Sequence, residues 1–150
     1  MGTELSVDKQ AKALYGEGIV GYVAGMIDGE GCIGAYTYTS RDGVLRCIPI
    51  LTITNTNKDV LDCCRMVIGG KVALIEKRRE KERPLYRLQT ASMPTIERAL
   101  LIVRDWLIIK RDVAELVLEL INSKRTHCRG CIPRELEIVT EMHELNKKGR

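Results

Sequence analysis

Val23-Ala24-Gly25-Met26-Ile27-Asp28-Gly29-Glu30-Gly31 closes an apolar run that begins at Ile19, and β-rich chain follows it at once. Ile19, Val20, Tyr22, Val23, Ala24, Met26 and Ile27 make the run greasy on nearly every side. A helix over about residues 19–30 is therefore expected to be buried all round. Gly21, Gly25 and Gly29 recur every four residues and strip the side chains from one of its faces. Each interior glycine costs a helix roughly 0.5–1 kcal/mol relative to alanine. Close approach of another backbone would offset that loss, and a two-fold partner is one way to supply it. Glu30 falls at the C-terminal end, where the helix dipole disfavours a carboxylate. It is either an ordinary surface acid or an acid kept there for its chemistry.

Beyond Gly31 the pattern predicts a strand from Cys32 to Thr39, a turn at Ser40-Arg41-Asp42-Gly43 and a second strand from Leu45 to Thr54. Asp42-Gly43 between two β-rich runs is a hairpin signal. Asn57-Lys58-Asp59 opens a helix reaching about Ile68, closed by Gly69-Gly70. A second hairpin runs out from Val72 to Lys77 and back from Leu85 to Ala91 around a charged tip. Ser92 reads as the N-cap of a helix over Met93 to Trp106, broken near its end. Val113, Leu116, Val117, Leu120 and Ile121 fit one face of a helix from Lys110 to Asn122. Pro133 then starts a last helix with Leu136, Val139, Met142 and Leu145 on one side. The order α-β-β-α-β-β-α-α-α, without internal repeat, implies one α+β domain over residues 1–150, an antiparallel four-stranded sheet with helices on one face.

At 150 residues the chain suits one domain, and its 45% apolar and 29% charged content excludes a disordered or membrane-embedded class. The N-terminal stretch is charged throughout and has no apolar signal core, so the expected location is intracellular (cytoplasm, nucleoid or organelle matrix), neither secreted nor membrane-bound. A net charge of +4 says little by itself. Its distribution says more: Lys71, Lys77, Arg78, Arg79, Lys81, Arg83 and Arg87 crowd the second hairpin. That excess suits a phosphate backbone, or a plain solvated hairpin tip. The six cysteines are expected to be reduced thiols, mostly small buried hydrophobes. Cys128 and Cys131 stand at metal-knuckle spacing beside His127, but without a second pair they read as ordinary loop thiols.

The nine residues Val23 to Gly31 resemble the LAGLIDADG motif of a family of homing endonucleases and RNA maturases. Ala24, Gly25, Ile27, Asp28 and Gly31 match its letters, and the other four are substitutions common in that family. The ββαββ order and the helical C-terminal half extend the resemblance over nearly the whole chain, toward the single-motif, homodimeric branch. Leu51 to Lys58 is similar to the end of that branch's second strand, where Asn57 would be a polar residue facing the metals. Leu107-Ile108-Ile109-Lys110, followed by Val113-Ala114-Glu115-Leu116, is similar to the start of its penultimate helix, where Lys110 would be a basic active-site residue. Taken alone, Asn57 reads equally as an N-cap and Lys110 as a plain helix-start lysine. One departure is Leu61, which stands where some members place a second basic residue.

The resemblance implies the αββαββα LAGLIDADG fold with a saddle-shaped sheet. It implies dimer contacts at Gly21, Ala24, Gly25 and Asp28, the last more structural than ligating. Glu30 and the Gly29 carbonyl would hold Mg2+ or Mn2+, with Ca2+ as a non-catalytic substitute, and Glu30, Lys110 and Asn57 would be catalytic. Because alternate strand residues share a face, the DNA-facing set is expected to be Tyr36, Tyr38 and Ser40, then Ile48, Ile50, Thr52 and Thr54, then Lys71, Ile75, Lys77, Arg87 and Gln89. Arg46 and the loop of residues 123–131 would add phosphate contacts. A two-stranded ribbon fits the major groove, where Arg and Lys pair with guanine and Gln with adenine. The expected activity is metal-dependent cutting of a long, roughly palindromic double-stranded site by a homodimer, as an intron- or intein-borne element would do. Two other readings stay open: a maturase that binds its intron RNA, and a catalytically silent DNA-binding regulator.

Overall fold

The computed structural model describes residues 7–75, 83–127 and 129–148. Its elements are α1 (Val7–Tyr15), α2 (Glu17–Glu30), β1 (Gly31–Thr39), β2 (Leu45–Asn55), α3 (Lys58–Ile68), β3 (Lys71–Ile75), β4 (Leu85–Thr90), α4 (Met93–Val103), a short 3-10 turn at Arg104–Trp106, α5 (Arg111–Thr126) and α6 (Pro133–Lys148). The strands form one antiparallel sheet in the order β1-β2-β4-β3. The expected α+β class and both hairpins are present. The sequence reading missed α1, whose Val7, Ala11 and Tyr15 recur at i, i+4, i+8 amid charged residues. It also ended α5 four residues early, at Asn122 instead of Thr126. Among the described residues no helix is long and apolar enough to cross a membrane.

Alternation along the strands assigns the two faces. Ile33, Ala35, Cys47, Leu51, Ile53 and Leu88 are buried and meet the helices, chiefly α2, α3, α5 and α6. The core is aliphatic, continuing through Val20, Val23, Ala24 and Ile27 of α2 and Leu100, Leu107, Val117 and Leu120 of the C-terminal helices. Leu61 is part of this core, wholly enclosed, so it carries no polar chemistry. Pro49 lies in β2 beyond Leu51, where pairing with β4 stops, a position at which its missing N–H is tolerated.

The outer edge of the sheet at β1 is covered by α6. The Asn146 amide donates to the Ile33 carbonyl at 3.0 Å, and the His143 imidazole N–H donates to the Ala35 carbonyl at 3.2 Å. Two glycines set the course of α2. Gly16, with φ at 80°, supplies the left-handed break between α1 and α2 that an L side chain would resist. Gly31 is the tight exit into β1: a Cβ there would stand 2.7 Å from the Ile27 carbonyl oxygen and 2.8 Å from its Cα. Because both obstacles are backbone, Gly31→Ala is expected to lower stability by about 1–3 kcal/mol, seen as an earlier midpoint in urea unfolding.

Candidate active site and nucleic-acid face

The motif ends where α2 meets the start of α5, and the two helix ends exchange charges there. The Asp28 carboxylate accepts the backbone N–H groups of Ile108 (2.7 Å), Ile109 (3.3 Å) and Lys110 (3.0 Å). Those amides lie in the bend that leads into α5, with Lys110 as the N-cap of that helix. In return the Lys110 ammonium donates to the Ile27 carbonyl at 2.9 Å and to that of Asp28. An anion thus sits at a helix N-terminus and a cation at a helix C-terminus, the favourable sense at both ends. The awkwardness of a lysine at its own helix start disappears, because its charge serves the other helix.

Beside this clamp lies a cleft of about 270 Å³ whose walls include Gly29, Gly31, Cys32, Lys110 and Asn146. Glu30 is exposed in the last turn of α2, directly before the strand. A side chain at Gly29 would meet nothing within 4 Å, and Gly29 itself lines the cleft. The presence of Cys32 in this cleft was not foreseen from the sequence. A wider groove of about 660 Å³ lies among the helices, away from the motif, and charged pairs such as Arg104–Glu115 and Arg125–Glu97 line it.

The strand register puts the expected recognition residues on the face opposite the core. Tyr36 pairs with Ile48 and Tyr38 with Arg46, while Thr52 and Thr54 pair with Gln89 and Arg87. Lys71 pairs with Gln89 and Ile75 with Leu85 on the outer hairpin. Lys71, Ile75, Arg87 and Gln89 line a shallow groove of about 430 Å³. Ile48 and Ile50 do point to this open face, half-buried beside Tyr36 and Gly34 of β1. Lys77 and Cys128 lie outside the described residues.

Several expected residues are otherwise engaged. Ser40 is committed to the turn: its hydroxyl bonds Asp42 and the Val44 carbonyl and accepts from Arg46 at 3.1 Å. The Ser40 hydroxyl, the Val44 N–H and Arg46 hold the Asp42 carboxyl below its usual range. Of the two readings of Asn57 the structure shows the cap, its side-chain oxygen accepting the Asp59 N–H at 2.9 Å. Part of the expected dimer stripe is engaged within the chain. Ala24 is enclosed in the core, and a side chain at Gly21 would meet the Trp106 ring at 3.2 Å. The open stripe of α2 instead passes through Gly18, Tyr22, Gly25 and Gly29. The uniform expectation of reduced thiols also fails, because Cys47 and Cys131 are joined in a disulfide.

Solved structures share this arrangement. The homing endonuclease I-CvuI, in complex with the I-CreI target in the presence of Mg with the DNA not cleaved, matches with a TM-score of 0.68 and 22% identity over 84% of this chain and 80% of that one. The LAGLIDADG homing endonuclease I-GzeII, in complex with its DNA target, matches at 0.62 and 17% over 84% of this chain and 43% of that one. The fold is that of the LAGLIDADG homing endonucleases. The archaeal intron-encoded homing endonuclease I-Vdi141I, complexed with DNA, shares the LAGLIDADG fold at 0.65 and 21% over 84% and 82% of the two chains. No protein-family sequence model matches the chain, and no curated protein matches it at a significant level.

Replacing Asp28 by alanine removes the acceptor for all three amides. A charged acceptor at a helix N-terminus contributes about 1–2 kcal/mol. Asp28→Ala is therefore expected to lower unfolding stability by about that amount, with amide exchange at Ile108–Lys110 accelerating more than at the sheet.

Proposed function

We propose that this chain is one subunit of a homodimeric DNA endonuclease that cuts a long, roughly palindromic site with divalent metal. The observation that carries the reading is the clamp of Asp28 and Lys110, which holds Glu30 at the start of the sheet's open face. Structures of the same fold bound to DNA support a DNA substrate. The open face offers Tyr36, Tyr38, Thr52, Thr54, Lys71, Arg87 and Gln89, a mixture of base-reading and phosphate-binding groups.

The donors that end α2 are oxygens, and the helix C-terminus adds partial negative charge. The Glu30 carboxylate and the Gly29 carbonyl therefore fit a hard cation such as Mg2+ or Mn2+. Bound there, such an ion supplies water activation and charge stabilisation on the phosphoryl oxygens. Lys110 uses two of its three ammonium protons on the Ile27 and Asp28 carbonyls. The third is left to offset charge on a phosphate beside the cleft.

One chain offers one such carboxylate, so the site is completed by a second copy. The glycines at 18, 25 and 29 leave the backbone of α2 open, and Tyr22, Ile108 (87% exposed) and Ile109 (63%) add unpaired apolar surface near it. The length of I-GzeII beyond its matched 43% leaves room for a second unit of this size.

Glu30→Gln is expected to cut DNA hydrolysis by roughly two to three orders of magnitude while leaving duplex binding in Ca2+ unchanged. Undiminished cleavage by that variant removes Glu30 from the chemistry; binding without cleavage by the parent chain identifies a non-catalytic DNA-binding protein. In Gly25→Leu the side chain enters open space in the monomer, so secondary structure should survive. Analytical ultracentrifugation should then show monomer where the parent chain is dimer, and cleavage should fall in step.

A further inference from the structure

Cys47 and Cys131 are 84 positions apart in sequence and bonded in space, with Cα atoms 6.1 Å apart. Cys47 faces the core from β2 and is 5% exposed; Cys131 lies half-buried in the loop from α5 to α6. That loop is docked on the first hairpin. The Cys131 N–H donates to the Leu45 carbonyl at 2.9 Å, and Gly130 packs on the Val44 side chain.

Beneath the loop, Lys124 forms a buried ion pair with Glu135 at 2.6 Å. Its ammonium also donates to the Gly130 carbonyl at 3.1 Å and stands 3.9 Å from the Cys131 sulfur. Glu135 is further held by the Ser123 hydroxyl at 2.8 Å and the Ile132 N–H at 3.3 Å. An ammonium beside a thiol favours the thiolate, the form that reacts. Cys64 is the opposite case, pushed up to about 11 by burial and by Cys63, and stays a thiol. The two sulfurs and a Glu135 oxygen lie within 4.8 Å of one another, as metal ligands would. The cation's place beside that carboxylate is already filled by Lys124.

We infer that Cys47 and Cys131 are a thiol–disulfide couple that fastens the α5–α6 loop, with its exposed cation Arg129, to strand β2 at the turn end of the first hairpin. The couple closes by exchange with a small-molecule disulfide. The Cys131 thiolate attacks one sulfur of that molecule, forming a mixed disulfide and releasing one thiolate. The Cys47 sulfur then attacks the Cys131 sulfur, the mixed disulfide breaks, and a second thiolate leaves. The two protons of the cysteines end on the two released thiols, and the small disulfide is the species reduced. The effect on DNA rests on the proposed function; the bond itself does not. With the bond closed, the loop is ordered before DNA arrives, so binding does not carry that entropy cost.

The test equilibrates the whole protein in graded mixtures of reduced and oxidised glutathione, traps free thiols by alkylation and maps the linked peptides by mass. Affinity for a mixed-sequence DNA duplex is measured in the same samples at fixed salt. Expected are a Cys47–Cys131 link in oxidising mixtures and binding about tenfold tighter than after reduction. Cys63→Ser should keep both effects and Cys131→Ala should lose both; dithiothreitol on the parent chain gives the same comparison if Cys131→Ala does not fold. Absence of the link at every ratio overturns the inference, as does stoichiometric zinc retained by the reduced protein. A link with equal DNA binding in both states also overturns it while leaving the DNA face intact. No DNA binding in either state overturns the proposed function and, with it, the loop's role.

Discussion

Two helix ends meet in this molecule, and each supplies what the other lacks. Asp28 collects three amides of the bend that leads into α5, and Lys110 bonds two of the last carbonyls of α2, of which that of Ile27 also accepts the Gly31 N–H. The exchange couples residues about 80 positions apart, so it is a tertiary constraint and not a local cap. Its reach is wide. It sets the end of α2, and therefore the placement of Glu30 and the starting residue of β1. Because strand side chains alternate, fixing Gly31 as the first residue of β1 decides which residues of the hairpin face the core and which stay open.

Much of this was legible in the chain. Period-two alternation and the Asp42-Gly43 turn gave the hairpin and its faces, and the same parity carried over to β4 and β3 once their pairing was assumed. The motif residues pointed to the helix end, and the separate resemblance at Leu107–Leu116 pointed to Lys110. What stayed hidden depended on partners distant in sequence. Alternation cannot say that Asp28 bonds Ile108, or that Cys131 meets Cys47. The helix α1 was obscured because its buried face is only Val7, Ala11 and Tyr15, too little apolar area to stand out among lysines. Ala24 and Gly25 are adjacent letters of one motif, yet one is enclosed and the other open. A helix that is apolar on every side gives no pattern to choose between them.

The buried pair of Lys124 and Glu135 illustrates the same limit from the polar side. Two charged residues near the ends of neighbouring helices look like solvated surface in a sequence. In the structure they are 8% and 0% exposed and fully hydrogen-bonded. Removing one partner would strand the other charge in the interior, which is far more costly than losing a surface bridge. The loop above them is therefore built on a rigid floor, though it carries no regular structure of its own.

The contacts of Asn146 and His143 with the β1 carbonyls have a consequence for assembly. An uncovered outer strand invites other strands to extend the sheet without end, the usual path to fibres and aggregates. Here α6 occupies the hydrogen-bonding positions at Ile33 and Ala35, so another strand cannot pair with that stretch of β1. The open stripe of α2 is left, and in the proposed dimer a self-complementary contact there would close after two copies. The same helix that finishes the domain thereby shields the exposed edge of its sheet.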